Sequence, residues 1–178
     1  MKIENTPFYG LKLIHLNTFV DTRGSFIKVF NESFFKENNL VTDLKESYFS
    51  ISNKHVIRGM HFQLPPHAHT KIVYVNNGSI LDVVLDLRKS SNSYGEYFSI
   101  ILTANEPMLV YIPVGFAHGF LSLEDNSMVT YLQNSCYNGS SDTGVKWDSF
   151  GFDWNISNPI ISQRDLTFEH FAKFNSPF

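Results

Sequence analysis

The sequence is poor in charge for its length of 178 residues. It holds 14 Lys and Arg against 17 Asp and Glu, so the net charge is −3 and charged residues make up 17% of the chain. An average globular chain is roughly 25% charged. Proteins that bind nucleic acid by neutralising its phosphates carry a clear excess of positive charge. The composition therefore argues against a nucleic-acid partner.

Cysteine and long apolar runs are scarce as well. Cys136 is the single cysteine, so no internal disulfide can form, and no secretory signal pattern opens the chain. The apolar run from Ile80 to Leu87 is interrupted by Asp82 and Asp86, and it falls well short of the roughly 20 residues that span a bilayer. These absences favour a cytoplasmic protein with no membrane partner.

Aromatic residues are abundant by contrast, with 17 Phe, 8 Tyr and 2 Trp. So much apolar bulk is typical of a compact fold and not of a disordered segment. The length suits one domain, and the chain shows no internal repeat, low-complexity stretch or linker. We therefore predict a single domain over residues 1–178.

Short segments of alternating apolar and polar residues dominate the middle of the chain, which is typical of half-buried strands. Turn-forming residues such as those at 76–79 separate them. The predicted strands cover residues 71–75, 80–87, 97–102, 108–112 and 128–133. The pattern predicts an all-β fold, an antiparallel sandwich or barrel.

Helical segments are few. One is predicted over residues 32–38 and another after Ser162, where residues 162–165 have the form of a capping box. We expect the tail, from Leu166 to Phe178, to form a short helix followed by an exposed end.

Histidines cluster in the middle of the sequence, where His67 and His69 precede a strand and His118 follows a turn. In a double-sheet jelly roll both segments can face one cavity. This pairing resembles the HxH and PxGxxH signatures with which metal-binding cupins hold their ion. The Glu expected after HxH falls near Val73 or Tyr74, neither of which can replace it, although three histidines alone can bind zinc or iron. A metal-dependent cupin isomerase or oxygenase remains one alternative.

Longer motifs extend over most of the chain, including VIRGMHFQ at 56–63 and IPVGFAHGF at 112–120. The other segments of the set, in chain order, are residues 19–26, Pro65, 71–73, 82–88, Tyr131, 144–147, 159–162 and Asp165. In order and spacing the set resembles the dTDP-4-dehydrorhamnose 3,5-epimerase family. Each fragment alone is weak, but together they are specific. The resemblance implies a cupin jelly roll, a double-stranded β-helix with short flanking helices.

The resemblance also implies a reaction. Members of that family remove a proton α to the ketone of a nucleotide-linked 4-keto-6-deoxy sugar and return it on the opposite face, at C5 and often at C3. They use no metal or other cofactor. The chemistry requires a base, a cation that stabilises the enolate oxygen, and an acid on the far side of the ring. The implied role is in the synthesis of sugars for bacterial surface polysaccharides.

The family match assigns these catalytic roles to four residues. His61 is the base, Asp165 orients it, Lys71 stabilises the enolate and Tyr131 is the acid. The residue types suit the tasks, because a histidine titrates near neutrality and a lysine supplies a positive charge. Each residue also has a purely structural interpretation. His61 can be a hydrogen-bonding histidine of a strand, Lys71 a lysine at a strand edge, and Tyr131 a residue of the core. Asp165 can be the acidic residue of the capping box.

The same match implies residues that bind the substrate, a nucleotide diphosphate sugar. Arg23 and Arg58 are matched to phosphate-binding positions, a task that suits bidentate donors. His118 lines the pocket near the reacting sugar, and Gln63 and Tyr137 are assigned to the same pocket. His67 and His69 have no matched role, and we interpret them as loop or rim residues.

Three positions depart from the family pattern. The family has Glu where this chain has Lys28, and a Gln-x-Asn pair where it has Glu46 and Tyr48. Because these substitutions change the donors and acceptors offered to the ligand, we predict the same mechanism on a different nucleotide. A GDP-linked 4-keto-6-deoxy heptose is one candidate, with Glu46 accepting from the guanine amine. A non-catalytic sugar-binding module is a further alternative.

The family forms homodimers in which an N-terminal strand joins the partner's sheet. The mostly apolar segment 11–16 is a candidate for that strand. It can equally be an ordinary strand of its own subunit's sheet, and the sequence does not separate these two interpretations.

Overall fold

A computed structural model describes all 178 residues. Each of the five segments with alternating apolar and polar residues forms a strand. The strands are β1 (Lys2–Asn5), β2 (Lys12–His15), β3 (Thr18–Asp21), β4 (Gly24–Ile27), β5 (Glu46–Ser52), β6 (Ile57–Gln63), β7 (Lys71–Asn77), β8 (Ser79–Asp86), β9 (Tyr97–Thr103), β10 (Met108–Ile112), β11 (Phe116–Ser122), β12 (Ser127–Gln133) and β13 (Asp142–Gly144). Helices α1 (Glu32–Glu37) and α2 (Gln163–Leu166) and a 3₁₀ turn (Phe171–Lys173) complete the chain. The all-β prediction is confirmed, and no helix is long and apolar enough to cross a membrane.

Two antiparallel sheets face each other. The larger has the order β1-β2-β10-β7-β12-β5, the smaller has the order β13-β6-β11-β8-β9, and β3 and β4 form a separate hairpin. Strands distant in sequence are neighbours in both sheets, as in a jelly roll. Because side chains alternate along a strand, every second residue of β5, β6, β7, β11 and β12 is directed between the sheets.

The main core lies between the sheets. Val73, Val110 and Val129 of the larger sheet pack there with Ile80 and Phe120 of the smaller one, and each of the five is at most 1% exposed. Burying one such side chain contributes about 1.5–3 kcal/mol. This core fills one part of the space between the sheets, and polar residues next to it line a cavity in another part.

The outer faces of the sheets are covered as well. Phe35 of α1 and the following Leu40 pack on the larger sheet, and Trp154 packs on the smaller one. The expectation of an exposed tail is wrong. Ser176 is buried and donates to the Leu87 carbonyl, while the Phe178 ring lies 6.0 Å from that of Phe62. The tail is held because its aromatic residues cover apolar sheet surface.

The N-terminal strands pair within their own chain. Strand β2, which holds most of segment 11–16, pairs with β1 and β10 in the larger sheet. The β3–β4 hairpin, in contrast, joins neither large sheet and leaves apolar side chains in solvent: Phe19 is 59% exposed, Val20 74% and Phe26 61%.

Candidate functional site

A cavity of about 270 Å³ lies between the two sheets. The smaller sheet lines it with Arg58 and His61 of β6 and His118 of β11, and the larger sheet lines it with Lys71 of β7 and Tyr131 of β12. Five residues that the sequence assigned to catalysis or substrate binding therefore converge, because inward-facing positions of strands far apart in sequence meet there.

His61 and Asp165 form a close pair at one wall. His61 Nε2 lies 2.8 Å from Asp165 Oδ1, and Asp165 Oδ2 accepts from the Gly59 amide at 3.1 Å. The capping box is half formed, because the Ser162 hydroxyl caps α2 by accepting from the Asp165 amide while the carboxylate is directed at His61. Since a carboxylate only accepts, Nε2 carries the proton and Nδ1 keeps the free lone pair.

Burial and pairing set the charge of this pair. Burial lowers the pKa of His61, although Asp165 acts in the opposite direction. Burial alone raises the pKa of Asp165, but the hydrogen bonds from His61 and Gly59 bring it below its usual range. At neutral pH the pair is therefore a neutral imidazole beside a carboxylate, which is the state that a general base requires.

Lys71 lies beside this pair on the opposite sheet. Its side chain is almost fully buried, and Nζ donates to the His61 carbonyl at 3.2 Å. Burial lowers the pKa of Lys71 to about 8, and attraction to Asp142 partly offsets that effect. The ammonium is the cation positioned to stabilise negative charge in the cavity.

Tyr131 faces the cavity from the larger sheet, whereas His61 faces it from the smaller one. Its hydroxyl lies 3.4 Å from Ser50 Oγ, and its ring stacks on Tyr48 with centroids 4.7 Å apart. Burial raises the pKa of Tyr131, so the phenol keeps its proton at neutral pH. A neutral imidazole that can accept a proton and a phenol that can donate one thus lie on opposite walls.

His118 has a carboxylate partner that sequence reasoning missed. Its Nε2 lies 2.6 Å from Asp82 Oδ1, both side chains are buried, and Asp82 Oδ2 has no hydrogen-bond partner. Asp82 shares the inner face of β8 with Ile80 and Val84. A charged residue at an inward position of an apolar strand was the available signal.

Arg164 and Asp142 also line the cavity and were not predicted. Arg164 Nη2 donates to Asp142 Oδ2 at 2.6 Å, which joins the α2 helix to strand β13 across the cavity mouth. The position of Arg164 directly before Asp165 was the only sequence signal for it.

A second cavity of about 370 Å³ adjoins the first and shares four lining residues with it: Tyr48, Lys71, Tyr137 and Asp142. Glu46 and Gln63 line this second space. The Glu46 carboxylate accepts from Gln133 Nε2 and from the Tyr137 amide at 3.1 Å. Gln63 is buried and holds nearby loops, because its amide donates to the His67 carbonyl and accepts from the Asn138 amide.

Two predicted binding residues do not reach these cavities within one chain. Arg23 is at the tip of the β3–β4 hairpin, where its side chain is 87% exposed and bonded to Asp21. Lys28 lines a separate surface pocket with Phe19 and Phe34. Arg58, in contrast, is held at the cavity by a 3.0 Å bond from its Nε to Ser52 Oγ.

The histidines do not form a metal site. His67, His69 and His118 are not grouped, and nowhere do three or more His, Cys, Asp or Glu side chains stand close enough to hold an ion. His118 is paired with Asp82, and His69 Nδ1 lies 3.1 Å from Gln63 Nε2. The arrangement gives the metal-dependent alternative no set of ligands.

Comparisons with known proteins identify the family of the chain. A family model described as dTDP-4-dehydrorhamnose 3,5-epimerase matches residues 5–173. A relative of that name from Methanothermobacter thermautotrophicus is 38% identical over 165 residues, covering 90% of this chain and 89% of its own.

Two solved structures of such enzymes have the same fold. The Bacillus anthracis protein, with TDP and PPi bound, has a TM-score of 0.92 at 32% identity, covering 95% of this chain and 98% of its own. The Legionella pneumophila protein, in complex with dTDP-4-keto-L-rhamnose, also has a TM-score of 0.92, at 29% identity and covering 98% and 94%.

Fold and relatives together define a cupin-type jelly roll and an isomerase that epimerises sugars. The chain belongs to the dTDP-4-dehydrorhamnose 3,5-epimerase family. Its activity is that of a nucleotide-sugar epimerase of deoxysugar biosynthesis.

Proposed function

We propose that this protein inverts C3, C5 or both centres of a dTDP-linked 4-keto-6-deoxy sugar. The observation that carries the proposal is the placement of the paired His61 and Asp165 on one wall and the Tyr131 phenol on the other, with the Lys71 ammonium in the same cavity. An inversion through an enolate needs a base and an acid on opposite faces of one carbon.

The reaction proceeds in two proton transfers. His61 Nδ1 takes the proton from the carbon α to the ketone, and the C–H electron pair forms the enolate. Lys71 stabilises the negative oxygen, while Asp165 stabilises the imidazolium. Tyr131 then donates its proton to the opposite face of the carbon, the ketone is restored, and solvent re-equilibrates both residues.

The names of the relatives support dTDP as the nucleotide. The prediction of a different base, including a GDP-linked heptose, has no support among them. Glu46, offered as an acceptor for guanine, already accepts from Gln133 and the Tyr137 amide, so it holds the loop beside the cavity. Arg58, Tyr137 and Arg164 remain as groups at the cavity mouth for the diphosphate and base.

The proposal includes a homodimer. The exposed apolar side chains of the β3–β4 hairpin need cover, and the outer face of edge strand β5 exposes Phe49 (61%) and Ile51 (50%). A hairpin seated on β5 of a second copy would bury both surfaces. That arrangement gives Arg23 and Lys28 a route to a ligand which they lack in the single chain.

Incubation with dTDP-4-keto-6-deoxyglucose in deuterium oxide tests the mechanism. Deuterium is expected at C3, C5 or both, with inversion seen by NMR, and the carbon labelled tells which centre reacts. His61→Asn should abolish the exchange, whereas His15→Asn, a surface histidine paired with Glu4, should not. The absence of exchange in the unaltered protein would refute the epimerase proposal, and binding without exchange would favour a sugar-binding module.

Calorimetric titration tests the nucleotide. We expect dTDP to bind more tightly than GDP, CDP or UDP, because the relatives are named for dTDP sugars. If GDP bound more tightly, the substitutions at Glu46, Tyr48 and Lys28 would have changed base recognition as the sequence first indicated.

A further inference from the structure

Tyr48 forms a stacked pair with the proposed acid. The two tyrosines are directly opposite in the register of β5 and β12. Their rings lie 4.7 Å apart with an angle of 18° between the planes. The Tyr48 hydroxyl makes one long contact, 3.4 Å to Gln133 Oε1. One face of the Tyr131 ring is therefore covered by the Tyr48 ring.

Hydrogen bonding alone does not fix the Tyr131 phenol. Its partner, Ser50 Oγ, is 3.4 Å away, which is long for a bond between hydroxyl groups. Tyr131 also belongs to the core cluster with Val129, and its ring is edge-to-face with that of His118, with centroids 6.2 Å apart. Packing, with Tyr48 as the stacked partner, must therefore set the direction in which the phenol presents its proton.

Tyr48 carries no charge in this role. Burial, with Glu46 and Asp142 nearby, raises the pKa of Tyr48 to about 12. It stays neutral throughout the range in which His61 and Lys71 titrate, so it can act on the reaction only through its ring and its hydroxyl.

We propose that Tyr48 is a positioning residue that holds the Tyr131 phenol against the far face of the enolate and thereby favours inversion over return of the proton to its original face. This inference rests on the proposed function. The enolate has two proton sources: imidazolium His61 returns a proton to the face from which it came, and Tyr131 delivers one to the opposite face. Both restore the ketone, and only the second inverts the carbon.

The ratio of exchange to inversion isolates this role. In deuterium oxide, return from His61 after exchange with solvent places deuterium at the carbon without inversion, whereas delivery from Tyr131 gives deuterium with inversion. Tyr48→Ala is expected to lower the ratio of inversion to deuterium exchange roughly 2- to 10-fold, as the loss of an aromatic pair suggests. Tyr48→Phe keeps the stack and should restore the original ratio.

A matched control removes an edge-strand tyrosine elsewhere. Tyr97 of β9 is 41% exposed, close to the 43% of Tyr48, and packs on Phe152 at 5.0 Å, away from the cavity. Tyr97→Ala should leave the ratio unchanged. Because the ratio compares two outcomes of the same active molecules, a partly unfolded sample does not alter it.

The outcomes separate this inference from the proposed function. An unchanged ratio in Tyr48→Ala, or a ratio in Tyr48→Phe that matches Tyr48→Ala, would overturn the role of the stack. A lack of exchange in the unaltered protein would instead overturn the epimerase proposal itself.

Discussion

At the scale of single residues, each inward-facing histidine of the cavity has its own buried carboxylate. Asp165 holds His61 and Asp82 holds His118, with nitrogen–oxygen distances of 2.8 and 2.6 Å. Buried carboxylates are stable only when paired or hydrogen-bonded. The pairs therefore fix both imidazole rings, while burial lowers the pKa of His61 and leaves it neutral and able to accept a proton.

The pH dependence of kcat/KM follows from the protonation states. His61 must be neutral, and burial lowers its pKa, so activity should rise with pH in a range below the ordinary histidine value of about 6.5. Lys71 must be charged, so activity should fall above about pH 8, its lowered pKa. Lys71→Arg, which stays charged, should move the upper limb alone beyond pH 10 or so. If kcat/KM of Lys71→Arg fell at the same pH as that of the unaltered protein, a group other than Lys71 would be responsible for the fall.

Asp165→Asn should impair the base without unfolding the protein. The amide oxygen can still accept from the Gly59 N–H, but it cannot stabilise an imidazolium at His61. We expect kcat to fall about 10²- to 10⁴-fold, the range of general acid–base catalysis. Asp43→Asn makes the same change at a side chain that is 78% exposed and should have no effect. Equal kcat values for the two variants would contradict the dyad.

At the scale of elements, glycines allow β6 and β11 to approach closely where they carry the cavity histidines, His61 and His118. A Cβ at Gly119 would lie 2.7 Å from Met60 Sδ and 2.8 Å from the Arg58 carbonyl oxygen. Gly59, with φ of +140°, faces it on β6. The register of the β6–β11 pair shifts between His118 and Phe120, and His61 lies opposite His118 in this register.

Gly119→Ala should therefore damage both stability and activity. The added methyl group would force β6 and β11 apart, at a cost of about 1–3 kcal/mol in the free energy of unfolding. It would also displace Arg58 and His61, so kcat should fall. Gly139→Ala is the control, because the nearest atom, Tyr137 Oη, is 3.4 Å from the new Cβ. Urea denaturation measures the loss in the free energy of unfolding. Equal stability of the two variants would contradict a close approach of β6 and β11.

At the scale of the whole molecule, the β3–β4 hairpin joins neither large sheet, and the proposed dimer would cover its exposed apolar side chains. The double variant Phe19→Ser with Phe26→Ser removes two side chains that are 59% and 61% exposed. In sedimentation velocity we expect the unaltered protein to be a dimer and this variant to be a monomer with low activity, because Arg23 no longer reaches a partner. Tyr9→Ser, at a side chain 89% exposed elsewhere, should remain dimeric. A monomeric unaltered protein at micromolar concentration would refute the proposed dimer.

The sequence by itself determined five of the thirteen strands and indicated the central residues of the site. Alternation decided β7 to β10 and β12, because a half-buried strand needs apolar residues at every second position. The motif around His61 and the positions of Lys71, Tyr131 and Asp165 matched a known family. The structure brings these four side chains together, as expected.

Only the tertiary structure decided which groups act on one another. The Asp82–His118 and Asp142–Arg164 pairs and the stack of Tyr48 on Tyr131 join segments 22 to 83 residues apart. Their contact depends on strand register and sheet order, which alternation along one strand does not specify. The same reason explains why Arg23 lies away from the cavity in a single chain and why the aromatic tail is packed and not exposed.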